Sequence, residues 1–141
     1  PLLEEYKKIV ETLGLENQLH LCGNQSDAWN LIRNYALYVL PSYREGLPLV
    51  LLEAKFSMVP SLSFDIQTGP NEIIRDGVNG YLVQPYDVDA MADKIQYLID
   101  HDDVRSQFSK DQKIDDEKFN EKNILEKWKH LILSVSKGEK P

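Results

Sequence analysis

Glu45 and Glu53, with seven residues between them, lie in a segment, residues 41–54, that leaves a strand-like apolar run and enters a helix-like one. Gly46 permits close approach of the backbone to a ligand. Pro48 falls in the first helical turn, so the amides just after it have no intrahelical acceptor, and the helix dipole turns its positive end toward the loop. A phosphate fits there. The helix is apolar nearly all round, which implies burial, and a carboxylate inside it needs a partner. Glu53 follows Leu49 by four residues and Val50 by three, and shares the face of those first-turn amides. Glu45 stands just ahead of the helix. Two carboxylates flanking an anion site accept hydrogen bonds from neutral hydroxyls, such as those of ribose or a sugar, on either side of a diphosphate.

Other reactive side chains read differently. Asp87-Val88-Asp89 spells D-x-D but opens a helix, where acids cap the end and complement the dipole. His20, His101 and His130 are scattered without metal-ligand spacing. Cys22 reads as a small buried apolar side chain. The aromatic residues of the last helices read as core, and Asp115-Asp116-Glu117 as a solvated surface.

The elements that must position the two glutamates follow from periodicity. Leu2, Leu3, Tyr6, Ile9, Val10 and Leu13 recur at helical spacing before Gly14. Residues 19–23 read as a short strand. Residues 24–27 are turn chemistry, with Ser26 or Asp27 as a cap for a helix over 28–34. Residues 36–40 form an apolar run stopped by Pro41, the pattern of a strand buried on both faces. A helix over 48–57, strands over 59–64 and 81–83, and an amphipathic helix over 87–99 follow. The remainder to residue 136 reads as helix, with Phe108, Ile124, Leu125, Trp128, Leu131 and Ile132 as its apolar side. Strands alternating with helices predict an α/β fold, a Rossmann-like open parallel sheet with helices on both faces. Ligands on such sheets sit beyond the carboxyl ends of the strands, here the loops after Leu21, Leu40 and Phe64.

Composition bounds the classes. The 141 residues, 42% hydrophobic and 28% charged, suit one globular domain with a real core. The net charge of −7 argues against nucleic acid or an anionic membrane surface as main partner. One cysteine makes neither an internal disulfide nor a cysteine-based zinc site, which favours a reducing compartment. No apolar run approaches the roughly 18 residues of a membrane span, and no signal peptide is visible. The chain opens without Met inside a helical pattern, which reads as a cut from a longer protein.

Glu45 and Glu53, within Glu-Gly-Leu-Pro-Leu-Val-Leu-Leu-Glu-Ala, resemble the E-x7-E motif of family 4 (group 1) retaining glycosyltransferases. The surroundings agree in order. Residues 35–42 are similar to the strand entering that family's site, and Gly69-Pro70-Asn71-Glu72 through Val83 to the segment after the next strand. The resemblance covers residues 19–99 and, more weakly, most of the chain.

That resemblance implies the C-terminal, donor-binding half of a GT-B enzyme. Residues 1–136 would form the nucleotide-sugar-binding domain, truncated at its N-terminal edge, with 137–141 a frayed tail and the N-terminal acceptor domain absent. Glu45 would be the catalytic residue, binding hydroxyls of the transferred sugar. The amides around Gly46, Leu47, Pro48, Leu49 and Val50 would hold the sugar and the diphosphate. Glu53 would bind the ribose, and residues 23–27 would lie near the base. The donor would be a nucleoside diphosphate sugar, in first place a UDP-sugar. The acceptor would be a glycan or lipid-linked glycan of surface polysaccharide synthesis, reached through the missing domain. No cofactor, metal or nucleic acid is implied. The implied location is the cytoplasm or the inner face of the membrane, with any membrane association made by the missing domain.

Two departures stand out. Met58 occupies a position usually Gly, so the helix end is expected to differ, and Leu37 one usually acidic. Basic residues that neutralise the diphosphate in the family fall before Pro1, so this piece alone is expected to turn over no donor. One alternative is a nucleotide-sugar-binding or regulatory module without turnover. A flavodoxin-like receiver is another, but it gives no reason for a Glu inside the apolar helix.

Overall fold

The computed structural model describes residues 2–114 and 116–138. Its centre is a parallel sheet of β1 (Tyr38–Leu40), β2 (Ser61–Phe64) and β3 (Gly80–Val83), in the order β1-β2-β3. Leu40 stands opposite Ser63, and Phe64 opposite Val83. The carboxyl ends of all three strands therefore share one edge of the sheet.

Alternation along the strands divides the core in two. Leu62, Phe64 and Val83 point to one face with Val39 and Tyr81, and meet Met91 of α5 (Val88–Asp100). Tyr38, Leu40 and Leu82 point to the other, where they meet Leu51 of α3 (Leu49–Phe56) and Ile73 of α4 (Pro70–Ile73). Period-two alternation with both faces covered is the arrangement expected of parallel strands. Around this centre lie α1 (Leu2–Thr12), α2 (Ala28–Ile32), α6 (Asp102–Asp111), a 3-10 turn at Asp116–Phe119 and α7 (Glu121–Ser136).

Caps follow the sequence. Asp27 accepts from the Asn30 amide at 3.3 Å to start α2, and Asp87 accepts from the Ala90 amide at 2.9 Å to start α5. The capping reading of Asp87 thus holds. At the end of α3, Met58 takes φ 61°. Its amide donates to the Lys55 carbonyl at 3.0 Å, and the Val59 amide donates to Ala54 at 2.9 Å. That is the left-handed close that glycine ordinarily makes, adopted by methionine against its Cβ.

A buried polar chain fixes α3 from behind. Lys55, 2% exposed, donates from Nζ to the Gln112 carbonyl and, at 2.6 Å, to the Ile114 carbonyl. Gln112 Nε2 donates to the Asn79 carbonyl, and Asn79 Nδ2 to the Ile73 carbonyl at 3.2 Å. The helix carrying the candidate site is thereby tied to the end of α6 and to the α4–β3 connection.

Three expectations are corrected. Residues 19–23 form no strand. A strand needs a ladder partner, and none stands beside this segment among the described residues. Cys22 is exposed rather than buried. The apolar residues of α7, including Trp128 and Ile132, face outward, and α7 buries no residue among those described; of the expected apolar side only Phe108, on α6, is in the core. Beyond α7, Lys137 closes the helix with amide bonds to Leu133 and Ser134. Residues 139–141 of the expected frayed tail, and Asp115 of the acidic run, lie outside the described residues, as does the Asp116 side chain.

Candidate functional site

The loop from β1 to α3 brings the expected residues together. β1 ends at Leu40, and Pro48 is the cap residue of α3, with no side-chain capping bond. The Leu51 amide donates to the Pro48 carbonyl at 3.0 Å. The amides of Gly46, Leu47, Leu49 and Val50 find no acceptor among the described residues. They lie at the positive end of the helix dipole. Gly46, Leu47 and Leu49 are exposed, Val50 is half-buried and Pro48 is buried. Leu49 keeps 66% of its surface exposed, although an apolar residue would otherwise be drawn inward.

Glu45 and Glu53 are both half-buried and flank these amides. Neither is deeply buried, so Glu53 is less enclosed than the apolar helix implies. Tyr38 reports on both. Burial pushes its phenol pKa up, and the charges of Glu53 and then Glu45 push it further the same way. The two carboxylates therefore both act on the phenol of Tyr38, the first residue of β1.

The loop is shaped from across the sheet edge. Thr68 Oγ1 donates to the Glu45 carbonyl at 2.7 Å. Gly69 has φ 100°, and a Cβ there would overlap the Gly46 carbonyl oxygen and come within 2.7 Å of Pro48 Cδ. Only glycine lets the two loops close this tightly.

Two cavities border the segment that carries the glutamates, one reached by Val50 and the other by Glu45. One, of about 390 Å³, is lined by Gly23, Asn24, Gln25, Tyr35, Tyr38 and Val50 among others. Residues 23–25 of the expected loop 23–27 thus line a cavity that Val50 of the α3 first turn also lines. The other, of about 490 Å³, is lined by Tyr43, Arg44, Glu45, Gln67, Thr68 and Tyr86 among others. Tyr38, Thr68, Tyr43 and Tyr86 are additions to the residues expected from sequence. Only Thr68 carried a signal, its place in the turn before Gly69-Pro70.

The remaining candidates stay apart. Among the described residues no group of three or more His, Cys, Asp or Glu is placed to hold a metal ion. His101 packs on Tyr97 with ring centroids 4.1 Å apart and contacts the Tyr97 carbonyl at 2.7 Å. No helix among those residues is long and apolar enough to cross a membrane.

Comparison with known proteins agrees with the geometry. Residues 1–115 match the family described as glycosyl transferases group 1. The chain is 35% identical over 132 residues to a poly(ribitol-phosphate) alpha-N-acetylglucosaminyltransferase of Staphylococcus aureus, covering 93% of this chain and 27% of that protein. A variant of S. aureus TarM, solved with fondaparinux, alpha-GlcNAc-glycerol and UDP, superposes with a TM-score of 0.84 at 34% identity, over 91% of this chain and 26% of that one. The C-terminal domain of a group 1 glycosyl transferase from Francisella tularensis gives a TM-score of 0.66 at 28% identity, over 77% and 57%. The chain spans less than two thirds of the length of each. The α/β fold expected of one half of a GT-B glycosyltransferase is the fold observed. By sequence match, by fold and by the E-x7-E loop, the chain belongs to the glycosyl transferases group 1 family.

Proposed function

We propose that this chain is the donor-binding domain of a retaining glycosyltransferase, and that the whole protein moves a sugar from a nucleoside diphosphate sugar to a hydroxyl of a glycan or lipid-linked acceptor. The observation that carries this reading is the set of unpaired amides at the start of α3, flanked by Glu45 and Glu53 and bordered by two cavities.

The diphosphate sits on the amides of Gly46, Leu47, Leu49 and Val50. As the bond to the sugar breaks, charge grows on the leaving diphosphate. Preorganised N–H groups and the α3 dipole stabilise that charge without reorganising, and no metal is required of them. Glu53 accepts from the ribose hydroxyls, and the nucleoside occupies the cavity between residues 23–25 and Tyr38. Glu45, at the opposite end, accepts from hydroxyls of the transferred sugar and orients it, the catalytic role given to it here. The UDP in the TarM complex supports a UDP-sugar as donor. The name of the S. aureus relative supports an acceptor of the cell-surface polymer class. A cytoplasmic site of action, with any membrane attachment made elsewhere in the protein, accords with this donor.

The test separates the glutamates. Interactions made only with the reacting sugar affect turnover, whereas uniform binding affects mainly KM. Glu45→Ala lowers kcat of the full-length enzyme by about 10²-fold or more and leaves free UDP binding unchanged. Glu53→Ala weakens both donor and free UDP by about 1.5–3 kcal/mol. Calorimetric titration of UDP beside steady-state kinetics decides it. Equal loss of UDP affinity in both variants, or loss in Glu45→Ala alone, refutes these roles.

A further inference from the structure

Tyr43 and Tyr86 stand at the mouth of the cavity beside Glu45, on loops that follow different strands. Their ring centroids are 4.8 Å apart and their planes 49° apart. Both lie about 6.3 Å from the ring of Phe64, which is buried at the end of β2. Yet Tyr43 keeps 63% and Tyr86 61% of its surface in solvent. Core burial therefore does not account for them.

Tyr86 is also held at a cost. The Asp87 amide donates to the Gln84 carbonyl at 3.2 Å, closing a turn with Pro85 second and Tyr86 third. Tyr86 has φ 69°. Glycine is the ordinary choice for positive φ at that position, and a bulky aromatic there is an outlier. Such strain persists where the surrounding structure overrides it, and it clusters at ligand sites.

We propose that Tyr43 and Tyr86 form a stacking platform for a pyranose ring in the cavity beside Glu45. The two rings close on each other at an angle and leave no parallel slot for a flat base. What remains is their outer faces. A pyranose needs one such face: its axial C–H groups carry slight positive charge and meet the negative face of the phenol ring. Its hydroxyls then reach the cavity's polar rim, the carboxylate of Glu45, the amide of Gln67 and the hydroxyl of Thr68. An apolar wall with a few convergent polar groups is the usual composition of a small-molecule site. Arg44 also lines the cavity, so its one acid is matched by one base and the rim as a whole is polar without a net charge, which suits a neutral ring. The proposal rests on the donor-binding reading only for the sugar being offered there; the rings and cavity stand without it.

The test exploits the strain. Saturation-transfer NMR on the full-length protein uses three probes: UDP, UDP-glucose, and methyl α-D-glucopyranoside added to UDP-saturated protein. The pyranose C–H protons should show transfer, and in Tyr86→Gly the affinity behind it should fall about tenfold. Tyr86→Phe should keep it. Tyr86→Gly should at the same time be no less stable to heat than wild type, because glycine relieves the φ. A ring serving only as packing would give the opposite, lower stability with unchanged transfer. Loss confined to UDP-glucose assigns the platform to the donor sugar, and loss confined to the methyl glycoside assigns it to the acceptor. Unchanged transfer in Tyr86→Gly, or no pyranose transfer to wild type in either arm, overturns the platform. UDP signals are the separate control. Their absence in wild type counts against the donor reading, while the methyl glycoside still decides the platform.

Discussion

Thr68 donates its hydroxyl to the main-chain carbonyl of Glu45 at 2.7 Å, across 23 residues of sequence. The bond joins the loop after β2 to the loop after β1 and sets the backbone from which the Glu45 side chain projects. Thr68→Val keeps the shape and removes the donor. It should weaken binding of a UDP-sugar by about threefold to tenfold, the size of one net hydrogen bond. The unfolding midpoint should move little, because the bond is exposed. Titration beside a thermal melt checks this, and a lower midpoint with unchanged affinity would assign Thr68 to stability alone.

Gly69→Ala should be more damaging. The added Cβ meets the Gly46 carbonyl oxygen and Pro48 Cδ, and its φ of 100° is a conformation alanine rarely adopts. The strain alone costs about 1–3 kcal/mol, and relief requires the Gly46–Pro48 backbone to shift. Chemical-shift changes at the amides of Leu47, Leu49 and Val50, with loss of UDP binding, are the expected outcome. A variant of wild-type UDP affinity would show that this contact does not shape the anion site.

Lys55→Met should destabilise the fold by about 1–3 kcal/mol, because the Gln112 and Ile114 carbonyls lose a buried donor. Urea denaturation measures it. Part of the loss should appear as faster amide exchange in α3 and in residues 112–114, where the bond ends. An unchanged midpoint would mean that water replaces the ammonium.

Met58→Gly should stabilise the protein. Left-handed backbone costs an L-residue roughly 1–2 kcal/mol, and glycine loses part of that gain through its freer unfolded chain. A net gain of about 0.5–1 kcal/mol in urea denaturation is expected. A loss would show that the Met58 side chain contributes more packing than its strained backbone costs.

Tyr38 sets an alkaline limit. Burial, then the charges of Glu53 and Glu45, raise its pKa in the folded state above the ordinary phenol value. The folded protein holds this proton more tightly than the unfolded chain. The stabilisation is therefore fully present below about pH 10 and is lost as pH rises through the folded value. Tyr38→Phe should flatten that loss when urea midpoints are compared on either side of this range. Parallel alkaline curves for both proteins would show that Tyr38 does not titrate with folding.

Much of the arrangement was legible because its causes are local. The Leu37–Leu40 run before Pro41, the apolar helix after Pro48 and the capping Asp87 each declare themselves within a few residues. The glutamate pair stood out for the same reason: a carboxylate among apolar helical positions is costly unless something binds it. Residues 19–23 misled because an apolar run becomes a strand only when another strand supplies its hydrogen bonds. The α7 stripe misled because periodicity shows that a helix is amphipathic and not what its apolar face meets.

The sequence by itself determined the three strands of the sheet and the helices that follow them, the loop between β1 and α3, and the two acids that bracket it, since propensity, capping and helix dipoles act over a turn or two. Only the tertiary structure decided that Tyr43 meets Tyr86, that Thr68 holds Glu45 and that Lys55 reaches the end of α6. Those pairs depend on parallel register, Leu40 beside Ser63 and Phe64 beside Val83, which brings three distant loops to one edge. Register is settled by the whole set of faces that must be buried together, and no local stretch of sequence contains it.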